Sequence, residues 1–371
     1  MARILNEGFL LALWSEQMNP RWESLAKRIV KHPTVSNLTL FWKFRFASGR
    51  PNLALISVVV ARNILVALFN LKSVLESNRA IKRYQENLRE LAGHDTRKEV
   101  KLLHLIYGLK QNEPIRYFHW ALIEKMISTI RPDRVLFHYT YEPQGVYWEK
   151  IRGKVYAVKV PPFEYYGVAR LKHFAHKADV VRLLALYEMG GLYLDIDTLV
   201  FKSFDSLFSA GQLILGMQRL PGSVEPFGLS NAVIVAPRNH GGIRAWLQSY
   251  MYFRGKATRH WDEHSVRLPL NLLRRRGDVK VLDSHSFFQI DWDEVDLFFD
   301  VDQAALAKAR LAGAYSQHLW ETAWMTKLLT DFSLAPPADK SFLGTQLSGV
   351  EEESSSFIQP ISHQSDQLSP V

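Results

Sequence analysis

The chain has 371 residues, 47% hydrophobic, 22% charged and 12% aromatic, enough apolar material for one large core or two modest ones. Wholesale disorder, collagen and coiled coil are excluded, and the absence of cysteine excludes a disulfide scaffold, a thiolate zinc site and a cysteine nucleophile. The net charge of +9 is uneven: residues 1–100 hold 16 Lys/Arg against 8 Asp/Glu, whereas 332–371 hold one Lys against five acids. A basic excess of this kind suits an anionic partner, whether nucleic acid, a membrane surface or a phosphorylated small molecule. No zinc-finger spacing, RRM signature or basic-flanked GXXG loop accompanies it, so nucleic acid is not expected.

The first apolar run, Phe9 to Trp14, is short, follows Glu7 and lacks a small-residue cleavage site, so it does not read as a secretory signal. A second, Leu53 to Leu71 (LALISVVVARNILVALFNL), has 19 residues and would form a helix roughly 28 Å long. Arg62 and Asn63 lie at its centre, where an arginine costs on the order of 2.5 to 3.5 kcal/mol in a bilayer. A buried or interfacial helix is the first reading and a membrane span the second. The eight basic residues before the run would place that end in the cytoplasm if it spanned. Asn78 to Leu91 spaces Ile81, Tyr84, Leu88 and Leu91 as one helical face, an amphipathic lead-in to the main domain.

At Val100 the pattern changes. VKLLHLIYGL is a short, nearly continuous apolar run, as in a buried parallel strand. Tyr117 to Ile130 then reads as helix, Arg134 to Tyr141 and Lys154 to Val160 as strands, and Lys177 to Met189 as helix. This alternation predicts βαβ units, hence an α/β fold with a mainly parallel sheet and flanking helices. From Ala335 the chain is rich in Ser, Gln and Pro, with acids at Glu351 to Glu353, and reads as disordered. Three regions result: a basic helical segment 1–98, a main domain 99–332 and an acidic tail 333–371.

The chemistry concentrates in HKADVVRLLALYEMGGLYLDIDTLVF, His176 to Phe201. A helix stops at Gly190-Gly191, which tolerate the left-handed backbone of a helix C-terminus. A strand then carries Asp195 and Asp197, whose period-two spacing puts them on one side. Two adjacent carboxylates repel unless a cation lies between them, and hard oxygen ligands favour Mg²⁺ or Mn²⁺ beside substrate phosphates. Asp179 and Arg182, at i and i+3, share a helix face, either as a surface ion pair or as contacts to a sugar hydroxyl and a phosphate.

Asp179, Arg182, Gly190, Gly191, Tyr193, Asp195 and Asp197 together resemble the DXD sugar-binding region of retaining glycosyltransferases of the GT-A type, with its Rossmann-like sheet. The closest similarity is to the family of fungal initiating mannosyltransferases and lactosylceramide galactosyltransferases. VKLLHLIYGL resembles that family's first strand, with His104 at its histidine position and Tyr107 where Trp is common. LSNAVIVAPRNHGG (229–242) resembles its Asn-containing strand, HSFFQIDWDEVDLFF (285–299) its late aromatic segment and SQHLWETAW (316–324) its closing His-x-Trp motif. The resemblance implies that Asp195 and Asp197 hold the metal, that His318 completes the metal or diphosphate site, that Asn231 faces the donor sugar and that Trp320 packs on the donor. It further implies that His104, Asp179, Arg182 and Tyr193 line the donor site. By themselves, Asn231 also fits a turn amide, His318 a structural histidine, and Trp320 with Trp324 an apolar helix face. The implied activity moves a hexose from a UDP- or GDP-sugar to a glycan or glycolipid hydroxyl with retention, the departing phosphate taking the proton.

Two rivals stand beside this expectation. A phosphatase of the haloacid dehalogenase type would use Asp195 as nucleophile and Asp197 as acid/base, with Gly277, Asp278 and Asp283 as its second acidic motif. Its order is wrong, because that pair should follow a buried strand and the Asp-x-Asp strand should open the fold. The other rival is a sugar- or lipid-binding module whose acids are structural. For location, a cytoplasmic protein facing a membrane-borne acceptor fits the sequence, with peripheral contact to an anionic membrane; a spanning 53–71 would instead make it a single-pass enzyme of Golgi type.

Overall fold

The structure is a computed structural model that describes residues 53–93, 100–254, 261–323, 340–348 and 350. The expectations for Phe9 to Trp14, Trp324 and Glu351 to Glu353 lie outside the described residues. The chain begins with helices α1 (Leu53–Phe69) and α2 (Leu71–Gly93), followed by β1 (Leu102–Ile106), α3 (Tyr117–Ile130), β2 (Arg134–Tyr139), α4 (Val146–Arg152) and β3 (Tyr156–Lys159). The small hairpin β4 (Tyr165–Tyr166) and β5 (Ala169–Arg170) leads to α5 (Phe174–Met189), β6 (Gly191–Leu194), β7 (Thr198–Val200) and α6 (Asp205–Phe208). Then come β8 (Leu213–Arg219), β9 (Pro226–Ala236), α7 (Gly241–Ser249), a π-helical turn (Glu263–Arg267), α8 (Leu268–Leu273) and β10 (Val279–Leu282). Helix α9 (Ala304–Arg310), β11 (Ser316–His318) and α10 (Phe342–Leu347) close the described chain.

Seven strands form one sheet in the order β10-β8-β9-β6-β1-β2-β3. All its pairings are parallel except those of β9, which runs antiparallel to both β8 and β6. The α/β, mainly parallel architecture is as the alternation predicts. Every residue of β1 is buried, and its side chains divide between two cores: Leu103 and Leu105 pack with α3, Leu102 and Ile106 with α5. A strand covered on both faces has no polar side, which is why the run reads as continuously apolar.

Helix α5 is apolar nearly all round because it is covered nearly all round, by the sheet, α2 and α7. It stops at Gly190 and Gly191, with φ of 73° and 108°. A side chain at Gly191 would place its Cβ 2.8 Å from the Leu102 carbonyl oxygen, so the chain turns into β6 where only glycine fits.

Two boundaries differ from the sequence reading, at α2 and in the tail, while α1 packs as the buried helix of the first reading. Helix α2 is part of the domain rather than a lead-in: Ile81, Tyr84 and Leu88 are buried in the core with α5, and Arg89 forks onto the buried Glu188 at 2.7 Å. In α1, Val59, Asn63 and Ala67 are buried one turn apart, and the Asn63 amide donates to the Met251 and Phe253 carbonyls at 3.0 Å. Asn63, beside the arginine that argued against a bilayer, thus fastens α1 to the domain. The helix has 17 residues, and among the described residues no helix is long and apolar enough to cross a membrane. Part of the tail read as disordered is folded: α10 buries Phe342, Leu343 and Leu347 against α3, and the Tyr117 hydroxyl donates to the Leu347 carbonyl at 2.9 Å.

Candidate active site

The strand expected over Leu192 to Val200 is broken. After Leu194 the chain leaves the sheet, the Asp195 N–H donates to the Ala232 carbonyl at 2.8 Å, and the Thr198 N–H closes a turn onto the Asp195 carbonyl at 3.1 Å. Residues 198–200 resume as β7, paired antiparallel with β11, with His318 opposite Thr198. The two acids therefore meet through a turn, not through strand alternation. A histidine from far along the chain reaches them through that second pairing.

Each carboxylate has one oxygen anchored and one left for the centre. Asp195 Oδ1 accepts from Arg182 Nη1 at 2.8 Å and from the Tyr193 hydroxyl at 2.5 Å, leaving Oδ2 at 3.6 Å from His318 Nε2. Asp197 Oδ2 accepts from the Glu321 N–H at 2.7 Å, leaving Oδ1 at 3.2 Å from the same nitrogen. One ligand atom from each of Asp195, Asp197 and His318 lies within 4.8 Å of the others, a donor set of two hard oxygens and an imidazole that fits a divalent ion such as Mn²⁺ or Mg²⁺. Burial pushes the His318 ring down, yet Asp197 and Asp195 outweigh it and lift it to about 10. That imidazolium offsets the two carboxylates, and as a metal ligand the ring gives up this proton to the solvent. Burial raises Asp195, while the Arg182 charge and then His318 bring it down to about 2.

The other expected residues form a buried layer behind this centre. Asn231 Nδ2 donates to Asp179 Oδ1 at 2.7 Å, and Arg182 joins the Asn231 carbonyl at 2.8 Å and Asp179 at 3.4 Å. The guanidinium also stacks over the Tyr193 ring, 4.4 Å from its centroid. Asp179 and Arg182 are accordingly not a surface pair: they are 4% and 5% exposed. With all its groups engaged, Arg182 sets the position of Asp195.

Trp320 is half-buried with a left-handed backbone, φ 58°; its indole N–H donates to the Ile290 carbonyl at 2.9 Å and its ring stands edge-on to His318 at 4.4 Å. His104 is a correction. It is fully buried, with Nε2 bonded to the Gly190 carbonyl at 2.8 Å and Nδ1 to His138 Nε2 at 3.0 Å, so it is committed to the core and cannot face a donor. Asp278 and Asp283, the second acids of the phosphatase alternative, pair with Arg276 and Arg219 at the sheet's edge rather than joining the centre.

One group escaped the sequence reading. Beyond its backbone contact with Asp197, Glu321 places its carboxylate 3.3 Å from His119 Nε2 and 3.7 Å from Arg116 Nη1, tying the closing motif to the start of α3. The only signal in the sequence was the position of Glu321 beside Trp320.

A mainly parallel α/β sheet, with an Asp-x-Asp turn after a central strand and an Asp-x-x-Arg helix buttressing it, is the arrangement expected of a glycosyltransferase of the DXD type. Residues 145–213 match the family described as glycosyltransferase sugar-binding region containing DXD motif, and residues 264–331 match the alpha 1,4-glycosyltransferase conserved region. The first region holds Asp195 and Asp197 and the second His318, so the two matched regions together carry the whole cluster. Over 234 residues the chain is 36% identical to Glucan organizing enzyme 1 of Cryptococcus neoformans var. grubii, covering 59% of this chain and 62% of that protein. Over 99 residues it is 32% identical to Toxin Afp18 of Yersinia ruckeri, covering 26% of this chain and 5% of the toxin. The chain thus spans less than two thirds of either relative. A solved structure of the galactosyltransferase LgtC with donor and acceptor sugar analogs overlaps 58% of this chain and 86% of its own, at 14% identity and a TM-score of 0.36.

Proposed function

We propose that the protein transfers a hexose from a UDP- or GDP-sugar to a hydroxyl of a glycan or glycolipid, with retention, at a Mn²⁺ or Mg²⁺ ion held by Asp195, Asp197 and His318. The observation that carries this reading is the division of labour within the two carboxylates, each with one oxygen fixed by the protein and the other directed at His318 Nε2. When bound, a divalent ion supplies positive charge to a departing diphosphate. Arg182 and Tyr193 hold Asp195 in place, and the Glu321 N–H does the same for Asp197. Trp320, edge-on to His318, offers an apolar surface to the donor. Retention requires no protein nucleophile in this reading, since the acceptor hydroxyl attacks from the leaving-group side and its proton passes to the departing phosphate. The match to a protein named as a glucan organizing enzyme supports a glycan as acceptor.

The reading includes peripheral contact with an anionic membrane from the cytoplasmic side. Its support is α1, where Ile64, Leu65, Val66 and Leu68 are only half-buried and Phe69 is exposed, next to Leu75 on α2 and the basic N-terminal sequence. Phe69→Glu with Leu75→Glu should reduce sedimentation with phosphatidylserine vesicles; unchanged sedimentation removes this part of the reading.

The central test is release of nucleoside diphosphate from UDP- and GDP-sugars with Mn²⁺. Slow, metal-dependent release that Asp197→Ala abolishes is expected. Hydrolysis of simple phosphate monoesters would favour the phosphatase instead, and sugar binding without metal or turnover the binding module.

A further inference from the structure

The two carboxylates of the centre are secured by different means. Asp195 Oδ1 is held by two side chains, Arg182 and Tyr193, whereas Asp197 Oδ2 accepts from a backbone group, the Glu321 N–H at 2.7 Å. A backbone donor is placed by whatever fixes its segment. Just before it, Trp320 has a left-handed φ of 58°, a conformation that persists in a large residue only where the surroundings enforce it. The chain therefore needs a hold on each side of this turn. The first is the Leu319 N–H, which donates to the Asp197 carbonyl at 2.9 Å.

The second is the Glu321 carboxylate. It docks at the N-terminal turn of α3, 3.3 Å from His119 Nε2 and 3.7 Å from Arg116 Nη1, where the helix dipole also favours negative charge. His119 is fully buried, its ring centroid 3.9 Å from that of Phe118 and 4.9 Å from that of Tyr107, which fixes the plane of the imidazole. Its Nδ1 accepts from the Arg116 N–H at 3.4 Å, so the ring's own proton sits on Nε2 and is donated to Glu321. One path of contacts thus joins the first turn of α3 to the centre: Arg116 N–H to His119, His119 Nε2–H to the Glu321 carboxylate, and Glu321 N–H to Asp197 Oδ2.

We propose that His119, assisted by Arg116, is a positioning residue for Asp197 and acts through Glu321. The proposal rests on the reading of Asp195, Asp197 and His318 as a divalent-metal site, and it extends the support of that site across the crevice beyond the carboxyl ends of the parallel neighbours β1 and β6. Asp197 Oδ1 faces His318 Nε2 only while Oδ2 is held. A Glu321 segment released from α3 lets the carboxylate rotate, and the three ligand atoms lose their common geometry.

The test titrates the full chain with Mn²⁺ alone, read by electron paramagnetic resonance, with urea unfolding of the metal-free protein as the measure of the fold. A wild type that binds no Mn²⁺ removes the metal-site reading, and this inference with it. If it binds, Glu321→Ala, which keeps the backbone N–H and loses only the carboxylate, should weaken Mn²⁺ about tenfold. His119→Gln sets an amide N–H near the place of Nε2 and should stay within about threefold of the wild type, whereas His119→Asn, whose amide reaches only the place of Nδ1, should fall about tenfold. Glu321→Ala combined with His119→Asn should be no weaker than either alone, because both break one path. Wild-type affinity of Glu321→Ala overturns the proposal. So does equal weakening by His119→Gln and His119→Asn, which would assign the loss to packing of the imidazole, or a double variant whose losses multiply.

Discussion

Tyr193 and Asp195, two positions apart, meet through a 2.5 Å hydrogen bond from the phenol to Oδ1, although one belongs to the sheet and the other to the turn beyond it. The phenol's other role is as a platform for Arg182, so the ring holds both partners of the ion pair. Tyr193→Phe keeps the platform and removes the hydroxyl. A hydrogen bond to a charged group contributes about 1.5 to 3 kcal/mol, and outer partners of metal ligands typically carry 10- to 100-fold in affinity. The Phe variant should therefore fold normally and bind Mn²⁺ about 10- to 100-fold more weakly by electron paramagnetic resonance titration; wild-type affinity would show that Arg182 alone fixes Asp195.

Arg182 has the larger structural role. It faces Asp179 and Asp195 while itself 5% exposed, so Arg182→Leu would strand the buried Asp179 carboxylate and remove one partner of the half-buried Asp195. Removing one member of a buried ionic network costs about 3 to 5 kcal/mol. Urea unfolding should show a loss of that order, with a smaller one for Arg182→Lys, which keeps the charge but not the fork. A stability change below about 1 kcal/mol for the Leu variant would mean that the pair is solvated in solution.

The sequence reading reached this site because most of its parts are local. Asp179, Arg182, Gly190, Gly191, Tyr193, Asp195 and Asp197 fall within one helix-turn-strand unit, where spacing and glycine pairs carry information. It misjudged the strand, because LYLDIDTLV has strand composition throughout and only the pairing of β7 with β11 instead of the main sheet reveals the turn. It misplaced His104, since a histidine inside an apolar strand looks the same whether its partners are a ligand or Gly190 and His138. The junction of Glu321 with Arg116 and His119 was invisible, because it joins residues far apart in the chain that share no pattern.

Gly191 gives a test of the turn that feeds the site. Its φ of 108° and the 2.8 Å approach to the Leu102 carbonyl leave no room for a methyl group. Gly191→Ala should destabilise the fold by more than about 1 kcal/mol and, by displacing β6, lower Mn²⁺ affinity as well. Gly153 provides the control: its φ is −73° and nothing lies within 4 Å of an added methyl, so Gly153→Ala should leave stability within about 1 kcal/mol of the wild type or raise it. Equal melting temperatures for the two variants would contradict the close packing at Gly191.

The buried histidines predict how the fold responds to acid. Tyr84, His138, His104 and Gly190 form a relay with only one consistent set of protons: the Tyr84 hydroxyl donates to His138 Nδ1, His138 Nε2–H to His104 Nδ1, and His104 Nε2–H to the Gly190 carbonyl. With these protons in place, a further proton on His104 Nδ1 would meet the His138 Nε2–H, and one on His138 Nδ1 would force the Tyr84 hydroxyl to turn and accept. Burial accordingly lowers His104 to about 4 and His138 well below its usual value. Since the unfolded chain takes up these protons near pH 6.5 and the folded chain does not, stability is full above about pH 6.5 and falls as the pH drops toward 4. His104 alone accounts for a loss on the order of 3 kcal/mol across that window. Urea unfolding of the wild type and His104→Gln at pH 7.5, 6, 5 and 4.5 should show the wild type losing its advantage over the variant as the pH falls. A stability difference between the two proteins that stays constant from pH 7.5 to 4.5 would show that His104 is protonated equally in the folded and unfolded chains.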